Sequence, residues 1–255
     1  MVKGETQELC HENKRIGIIN LVKTHSVIIT GLEQINDEVC VQLKAQPFLQ
    51  PSPGQFFQAF AADSDDLLPT LLYPCRVSPA ELVLCGDIPK SWVPGTELHL
   101  HGPRGNGFHL PPLTRRAALT TLDVFSLNRI MALADTALSS GMEVTLFTDL
   151  HLSGLAPEIE VLPLEELNQV RDWADYLAAV LLPNQVNAFR NELKLNSGRK
   201  IPCSAEIMLE MPMICDETSA CGVCAVNTSR GWRLACKDGP VFGLDDLLPE
   251  DGSLG

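Results

Sequence analysis

"ICDETSACGVCAV", residues 214–226, places three cysteines within ten positions, and a fourth follows in "RLACKDGPVF", residues 233–242. The spacing is Cys215-x5-Cys221-x2-Cys224-x11-Cys236. Four thiolates in two near pairs can surround a metal centre. A plant-type [2Fe–2S] loop uses C-x4-C-x2-C and a distant fourth cysteine. This pattern departs from it by one extra residue in the first gap. Zinc ribbons use two short knuckles, and here only Cys221 and Cys224 make one. Cys215 and Cys236 stand apart, as in a long loop wrapped around a cluster. The spacing therefore favours a [2Fe–2S] centre on Cys215, Cys221, Cys224 and Cys236. Zinc, and unliganded or redox thiols, stay open as alternatives.

The rest of the composition narrows the setting. The chain has 255 residues, 45% of them hydrophobic and 20% charged, with a net charge of -13. That length gives a sizeable core in one large domain or two small ones. The acidic balance argues against nucleic acid as a partner and against an anionic membrane surface. The N-terminal stretch "MVKGETQELCHENKR" has no apolar core of a signal peptide. "YLAAVLLP", residues 176–183, falls short of the roughly 20 residues needed to span a bilayer. A cytoplasmic location with no membrane contact is expected. Nine cysteines, an odd number without an export signal, do not suggest a disulfide framework. Cys10, Cys40, Cys75, Cys85 and Cys203 read as small buried hydrophobes.

Upstream of the cysteines the texture changes once. Residues 15–102 alternate apolar and polar with period two in six short runs, among them "HSVIITGL", "EVCVQLKA" and "ELHLH", with Pro/Gly punctuation between. That pattern predicts a small closed β-barrel. "GPRGNGFHLPPL", residues 102–113, reads as a boundary and only weakly as a phosphate loop, since it lacks the Gly-Lys-Ser/Thr ending. Beyond it, strands alternate with helices, which implies a parallel sheet. "SLNRIMALADTALSSG" predicts a helix with Ser126 as N-cap, Gly141 after its end, and an apolar stripe of Leu127, Ile130, Met131, Ala134 and Leu138. "ADYLAAVLL" fits a buried strand or a helix end. A helix is expected in "PNQVNAFRNELKLNSG", with Pro183 near its start and Gly198 after its end, and a last strand in "KIPCSAEIML". The expected division is 1–110 (six-stranded barrel), 111–205 (α/β unit) and 206–255 (cysteine-cluster domain).

"EMPMICDETSACGVCAV" and "RLACKDGPVF" together resemble the C-terminus of the iron–sulfur electron-transfer subunit of dihydroorotate dehydrogenase, in the ferredoxin–NAD(P) reductase superfamily. Related subunits serve in hydrogenases and sulfide dehydrogenases. "PGQFF", residues 53–57, and "PGTELHLHGPRGNGF", residues 94–108, resemble the barrel motifs of the same family. The resemblance implies a flavin-binding barrel, a nucleotide-binding α/β domain and a short [2Fe–2S] domain.

The chain departs from that pattern at two cofactor sites. The family's first βα turn is glycine-rich, so that backbone can approach a pyrophosphate. Here the turn is "LTTLDVFSLNRI", without a glycine between Gly107 and Gly141, and Asp123 would repel phosphate. A Cys-Gly-Pro motif is replaced by Leu181, Leu182 and Pro183. NAD(P) binding is therefore expected to be lost. The family's Arg-Pro-x-Ser flavin strand becomes Tyr73, Pro74, Cys75 and Arg76. FAD stays an open reading on Tyr73, Pro74 and Arg76, with Arg76 either meeting a phosphate or serving as a surface charge. In the cluster loop, Thr218 and Ser219 offer hydroxyls, and Asp216 and Glu217 add negative charge.

Other candidates are weaker. His99, His101 and His109 lack a carboxylate cluster and read as surface histidines. Asp63, Asp65 and Asp66 read as a solvated loop. No catalytic residue is assigned. The sequence reads as an accessory electron-transfer subunit of an oxidoreductase complex, passing single electrons to or from a catalytic partner subunit. The competing reading is a structural or assembly subunit with a zinc or non-redox centre.

Overall fold

The computed structural model describes residues 24–47, 49–152, 154–195, 201–215 and 220–248. Strands β1 (Thr24–Ile35), β2 (Glu38–Lys44), β3 (Phe56–Ala61), β4 (Thr70–Val77), β5 (Glu81–Cys85) and β6 (Glu97–Arg104) form a closed antiparallel barrel in the order β1-β2-β5-β4-β3-β6. Period-two patterning builds it: on β6, Leu98 and Leu100 point inward while His99 and His101 are half-exposed. The interior is a closed apolar cluster that includes Ile29, Leu43, Phe57, Leu84 and Trp92. Asn36 and Asp37 join β1 to β2 with φ of 46° and 65°. This is a two-residue hairpin of the kind that Asn and Asp tolerate without glycine.

The second sheet has the order β14-β11-β10-β7-β8-β9. Strands β7 (Arg116–Thr121), β8 (Glu143–Phe147), β9 (Ile159–Leu162), β10 (Tyr176–Leu181) and β11 (Ser204–Leu209) run parallel. Helix α1 (Val124–Ser139) crosses from β7 to β8, and two shorter helices follow, α2 (Val170–Trp173) and α3 (Val186–Glu192). "YLAAVL" is a strand because both its faces are covered, and all six residues are buried. After β11 the chain forms a hairpin of β12 (Ala225–Thr228) and β13 (Gly231–Leu234), a single turn α4 (Ala235–Asp238), and β14 (Val241–Gly243), which returns antiparallel to β11. Strand β11 runs across position 205/206, and the segment after the cysteines supplies the sheet's edge.

Several expectations are corrected. Asp123, not Ser126, caps α1: its carboxylate accepts the Ser126 backbone N–H at 2.9 Å. The deepest apolar row on α1 uses Leu133 and Ala137 with Leu127, Ile130 and Ala134, while Met131 and Leu138 are half-buried. Burying each such leucine contributes about 1.5–3 kcal/mol. Helix α3 ends at Glu192, because Lys194 adopts a left-handed φ of 53°. Gly198 lies outside the described residues. Cys40 and Cys85 are not separate buried thiols but a disulfide across the β2–β5 ladder. Cys75 is buried and Cys203 half-buried, both free, and Cys10 lies outside the described residues.

Candidate iron–sulfur site

The cysteine segment is built onto the barrel before its first cysteine is reached. Gln58 on β3 is buried, and its side-chain amide donates to the Met213 carbonyl at 2.7 Å and to the Cys215 carbonyl at 2.8 Å. Arg104, the buried last residue of β6, in turn donates to Gln58 Oε1. The backbone at Cys215 is thus held by a polar pair drawn from two barrel strands. The loop residues Asp216, Glu217, Thr218 and Ser219 lie outside the described residues.

Beyond the loop, Cys221 is exposed, Gly222 turns with φ of 70°, and Cys224 is buried at the start of β12. The Ala235 N–H donates to the Cys224 carbonyl at 2.9 Å, which brings α4 back over this point. The Cys236 N–H then lies 3.5 Å from the Cys224 sulfur. Cys215 and Cys236 sulfurs are 4.0 Å apart, and the Cys215 thiol also interacts with Cys221. All four cysteines expected from the spacing therefore converge on one end of the hairpin. Burial raises the Cys215 thiol above its ordinary value, while the Val223 backbone N–H lowers that of Cys221. Four thiols on backbone loops, with N–H groups already directed at sulfur, are a donor set that fits an iron–sulfur cluster.

The "GPRGNG" loop has a structural task here. The Asn106 backbone N–H donates to the Gly239 carbonyl at 2.6 Å, and its side-chain amide donates to the Asp238 carbonyl at 2.6 Å. A Cβ on Gly105 would meet the Gly239 carbonyl oxygen at 2.5 Å, and the residue has φ of 75°. The glycine permits this close approach of two backbones. The loop clamps the end of the cysteine segment rather than cradling phosphate.

The residues expected at the flavin strand separate. Tyr73 is buried against Phe56, with the Arg129 guanidinium 4.5 Å over its ring. Burial pushes its phenol up to about 12. Arg76 points to solvent and is paired with Glu33 at 2.6 Å and Glu81 at 3.2 Å. A phosphate there would have to displace two carboxylates. Two open clefts, of about 410 Å³ beside Asn36 and Val124 and about 790 Å³ beside Thr114 and Asp175, are lined by none of Tyr73, Pro74 or Arg76. These three residues do not fit the role that the resemblance gives them.

The seam between α1 and the barrel is instead filled by the chain's own side chains. Arg129 pairs with Glu210 at 2.6 Å and with Glu38 at 3.5 Å, all three mostly buried. Asn128 donates to Glu38 at 2.9 Å and to the Ile35 carbonyl at 2.9 Å, and Asn36 donates to Asn128 at 2.8 Å. At the N-terminus of α1, Ser126 Oγ donates to Glu210 at 2.6 Å and to Asp123 at 2.9 Å. Two carboxylates therefore stand where a helix N-terminus would otherwise attract an anion. Sequence reasoning missed Gln58, Arg104, Arg129 and Glu210. A buried polar residue inside an apolar strand pattern, as in "FFQAF", was the available signal for Gln58.

The remaining candidates do not gather. His99 contacts Ser26 Oγ at 3.1 Å, His101 packs on Phe60, and the His109 backbone donates to Glu206. Asp63, Asp65 and Asp66 are exposed.

Comparison with known proteins agrees with this geometry. Residues 213–248 match the family described as the iron–sulfur cluster binding domain of dihydroorotate dehydrogenase B. Over those residues the chain is similar to that cluster-binding domain. A curated relative, the gamma subunit of sulfhydrogenase 1 from Pyrococcus furiosus, is 40% identical over 63 residues, 25% of this chain and 21% of the relative. The aligned stretch thus spans about a fifth of that relative's length. An NADH-dependent reduced ferredoxin–NADP oxidoreductase shares the fold with a TM-score of 0.67 at 16% identity, over 88% of this chain and 89% of that one. A ferredoxin reductase of carbazole 1,9a-dioxygenase superposes with a TM-score of 0.54 at 15% identity, over 68% of this chain and 63% of that one. The architecture is ferredoxin reductase-like, with an iron–sulfur binding segment at its C-terminus. Among the described residues no helix is long and apolar enough to cross a membrane.

Proposed function

We propose that this chain relays single electrons through a [2Fe–2S] cluster held by Cys215, Cys221, Cys224 and Cys236, to or from a catalytic subunit. The observation that carries the reading is the convergence of the four cysteines on a segment anchored to both barrel and sheet. The spacing of the quartet supports two irons over one zinc: it departs from a plant-type [2Fe–2S] loop by one residue in the first gap and contains a single short knuckle, where zinc ribbons use two. The acidic, glycine-free start of α1 supports loss of the NAD(P) site. The pairing of Arg76 and the filled α1 seam support a relay without FAD, in which the cluster is the sole redox centre. A one-electron centre with no substrate site of its own needs a partner, and the family resemblance points to a catalytic subunit.

Metal analysis and absorption spectra of anaerobically purified protein, before and after dithionite, test this. About two irons per chain and a visible band that bleaches on reduction are expected, without a flavin band. Cys224→Ala is expected to lose the band and most of the iron. Unchanged iron in that variant, or one zinc with a featureless visible spectrum, would overturn the reading in favour of a structural subunit.

A further inference from the structure

A second sulfur site lies on the barrel, outside the C-terminal segment. Cys40 and Cys85 face each other across the β2–β5 ladder and are joined as a disulfide. Cys75 is the extra residue at a bulge in β4, between the Pro74 and Arg76 pairings with β5. A bulge re-aims its side chain, and the Cys75 sulfur comes within 4.8 Å of both partners. All three cysteines are buried, packed with Val83 and Ile35. Among the described residues this is the group of three potential ligands drawn most tightly together.

The fixed charge around it suits a cation. Burial, then the carboxylates of Glu38, Glu33 and Asp135 against the single guanidinium of Arg76, push the Cys75 thiol up to about 12. Bare thiolates are disfavoured there, and a divalent ion removes the conflict by placing two positive charges among negative groups. Sulfur donors select thiophilic ions such as zinc. A Zn–S bond of about 2.3 Å places ligand sulfurs roughly 3.8 Å apart, which the observed cluster reaches by side-chain rotation once the disulfide is open.

We propose that, with the Cys40–Cys85 bond reduced, Cys40, Cys75 and Cys85 bind one zinc ion. Opening the bond takes two electrons and two protons from a dithiol reductant, which leaves as a disulfide. Zinc then displaces the three thiol protons to solvent, and three protein donors leave the fourth position to water. β2 and β5 are thus tied by a sulfur–sulfur bond in one state, and β2, β4 and β5 together by metal in the other. The inference is independent of the reading of the C-terminal quartet.

The test uses the cluster-loaded full chain, reduced with a phosphine, given one equivalent of zinc and desalted. The reduced protein is expected to retain about one zinc per chain with its iron unchanged, and the unreduced protein none. Zinc is expected to shield Cys40, Cys75 and Cys85, but not Cys203, from alkylation mapped by mass spectrometry. Cys75→Ser is expected to weaken zinc retention at least tenfold at unchanged iron. Should that variant fail to fold, the alkylation pattern of the unmutated chain decides. No zinc in the reduced protein, equal zinc in Cys75→Ser, or shielding confined to other cysteines would overturn the proposal.

Discussion

Gln58 anchors the cysteine site from outside it. Its amide serves two carbonyls of the incoming segment, and its own oxygen is held by Arg104. Gln58→Ala strands both carbonyls and the guanidinium in a buried place. Each unsatisfied group costs about 1–3 kcal/mol, so a loss of about 3 kcal/mol is expected in urea unfolding. Faster iron loss to a chelator should accompany it, since the first ligand's backbone is freed. A variant as stable as the parent, with unchanged iron release, would show that the anchor is idle. The contrast with the cysteines is instructive. Their spacing is a local signal, legible because a metal centre needs several donors close together. Gln58 acts over a sequence separation of 155 residues, through a fold that the sequence does not print. The cross-strand Cys40–Cys85 pair was hidden for the same reason: its register depends on which strands become neighbours.

Among the elements, strands were easier to anticipate than helix ends. The six barrel strands appear where period-two patterning places them, because a barrel with one buried face enforces alternation. Helix α3 stops early at a lysine in a left-handed turn, where glycine was the expected signal. The packing of α1 on the barrel left no pattern at all, since it rests on single polar residues far apart in the chain. Arg129 on α1 holds Glu38 of β2 and Glu210 beyond β11. Removing one member of a buried ionic set leaves uncompensated charge, at a cost of about 3–5 kcal/mol. Arg129→Ala is therefore expected to lose about 3 kcal/mol at neutral pH. Burial already raises the Glu38 carboxyl above its ordinary value of 4.5, and Arg129 is the chief influence opposing that rise. Without the guanidinium the folded-state value climbs further above the unfolded one. The folded variant then binds a proton that the unfolded chain has released, so its stability falls as pH rises through that interval. The deficit against the parent should shrink as pH is lowered towards 4.5. Urea titrations of both proteins at several pH values measure it, and a deficit that grows in acid would refute the assignment.

At the scale of the whole molecule, the cysteine segment is a structural member as well as the proposed cluster site. It is pinned to the barrel through Gln58 and Asn106, and it supplies β14 as the edge of the parallel sheet. A cluster that binds only the folded segment stabilises everything the segment touches, by about 4 kcal/mol when its effective concentration exceeds the dissociation constant a thousandfold. For a chain of this size, about 2–4 °C per kcal/mol translates into a melting point roughly 10 °C lower after iron removal. Two tryptophans report the two halves separately: Trp92 is buried in the barrel interior, and Trp173 stacks on Phe147 beside the sheet. With either kept as the internal reporter and the exposed Trp232 replaced by phenylalanine, the loaded protein should melt at one temperature by both. The iron-free protein should melt earlier and at two temperatures. The sheet signal should move first, because β14 and the end of β11 depend directly on the segment, whereas the barrel closes on itself. Coincident and unshifted melting after complete iron removal would mean that the segment holds its place without the cluster, and that the cluster is bound to a scaffold already rigid.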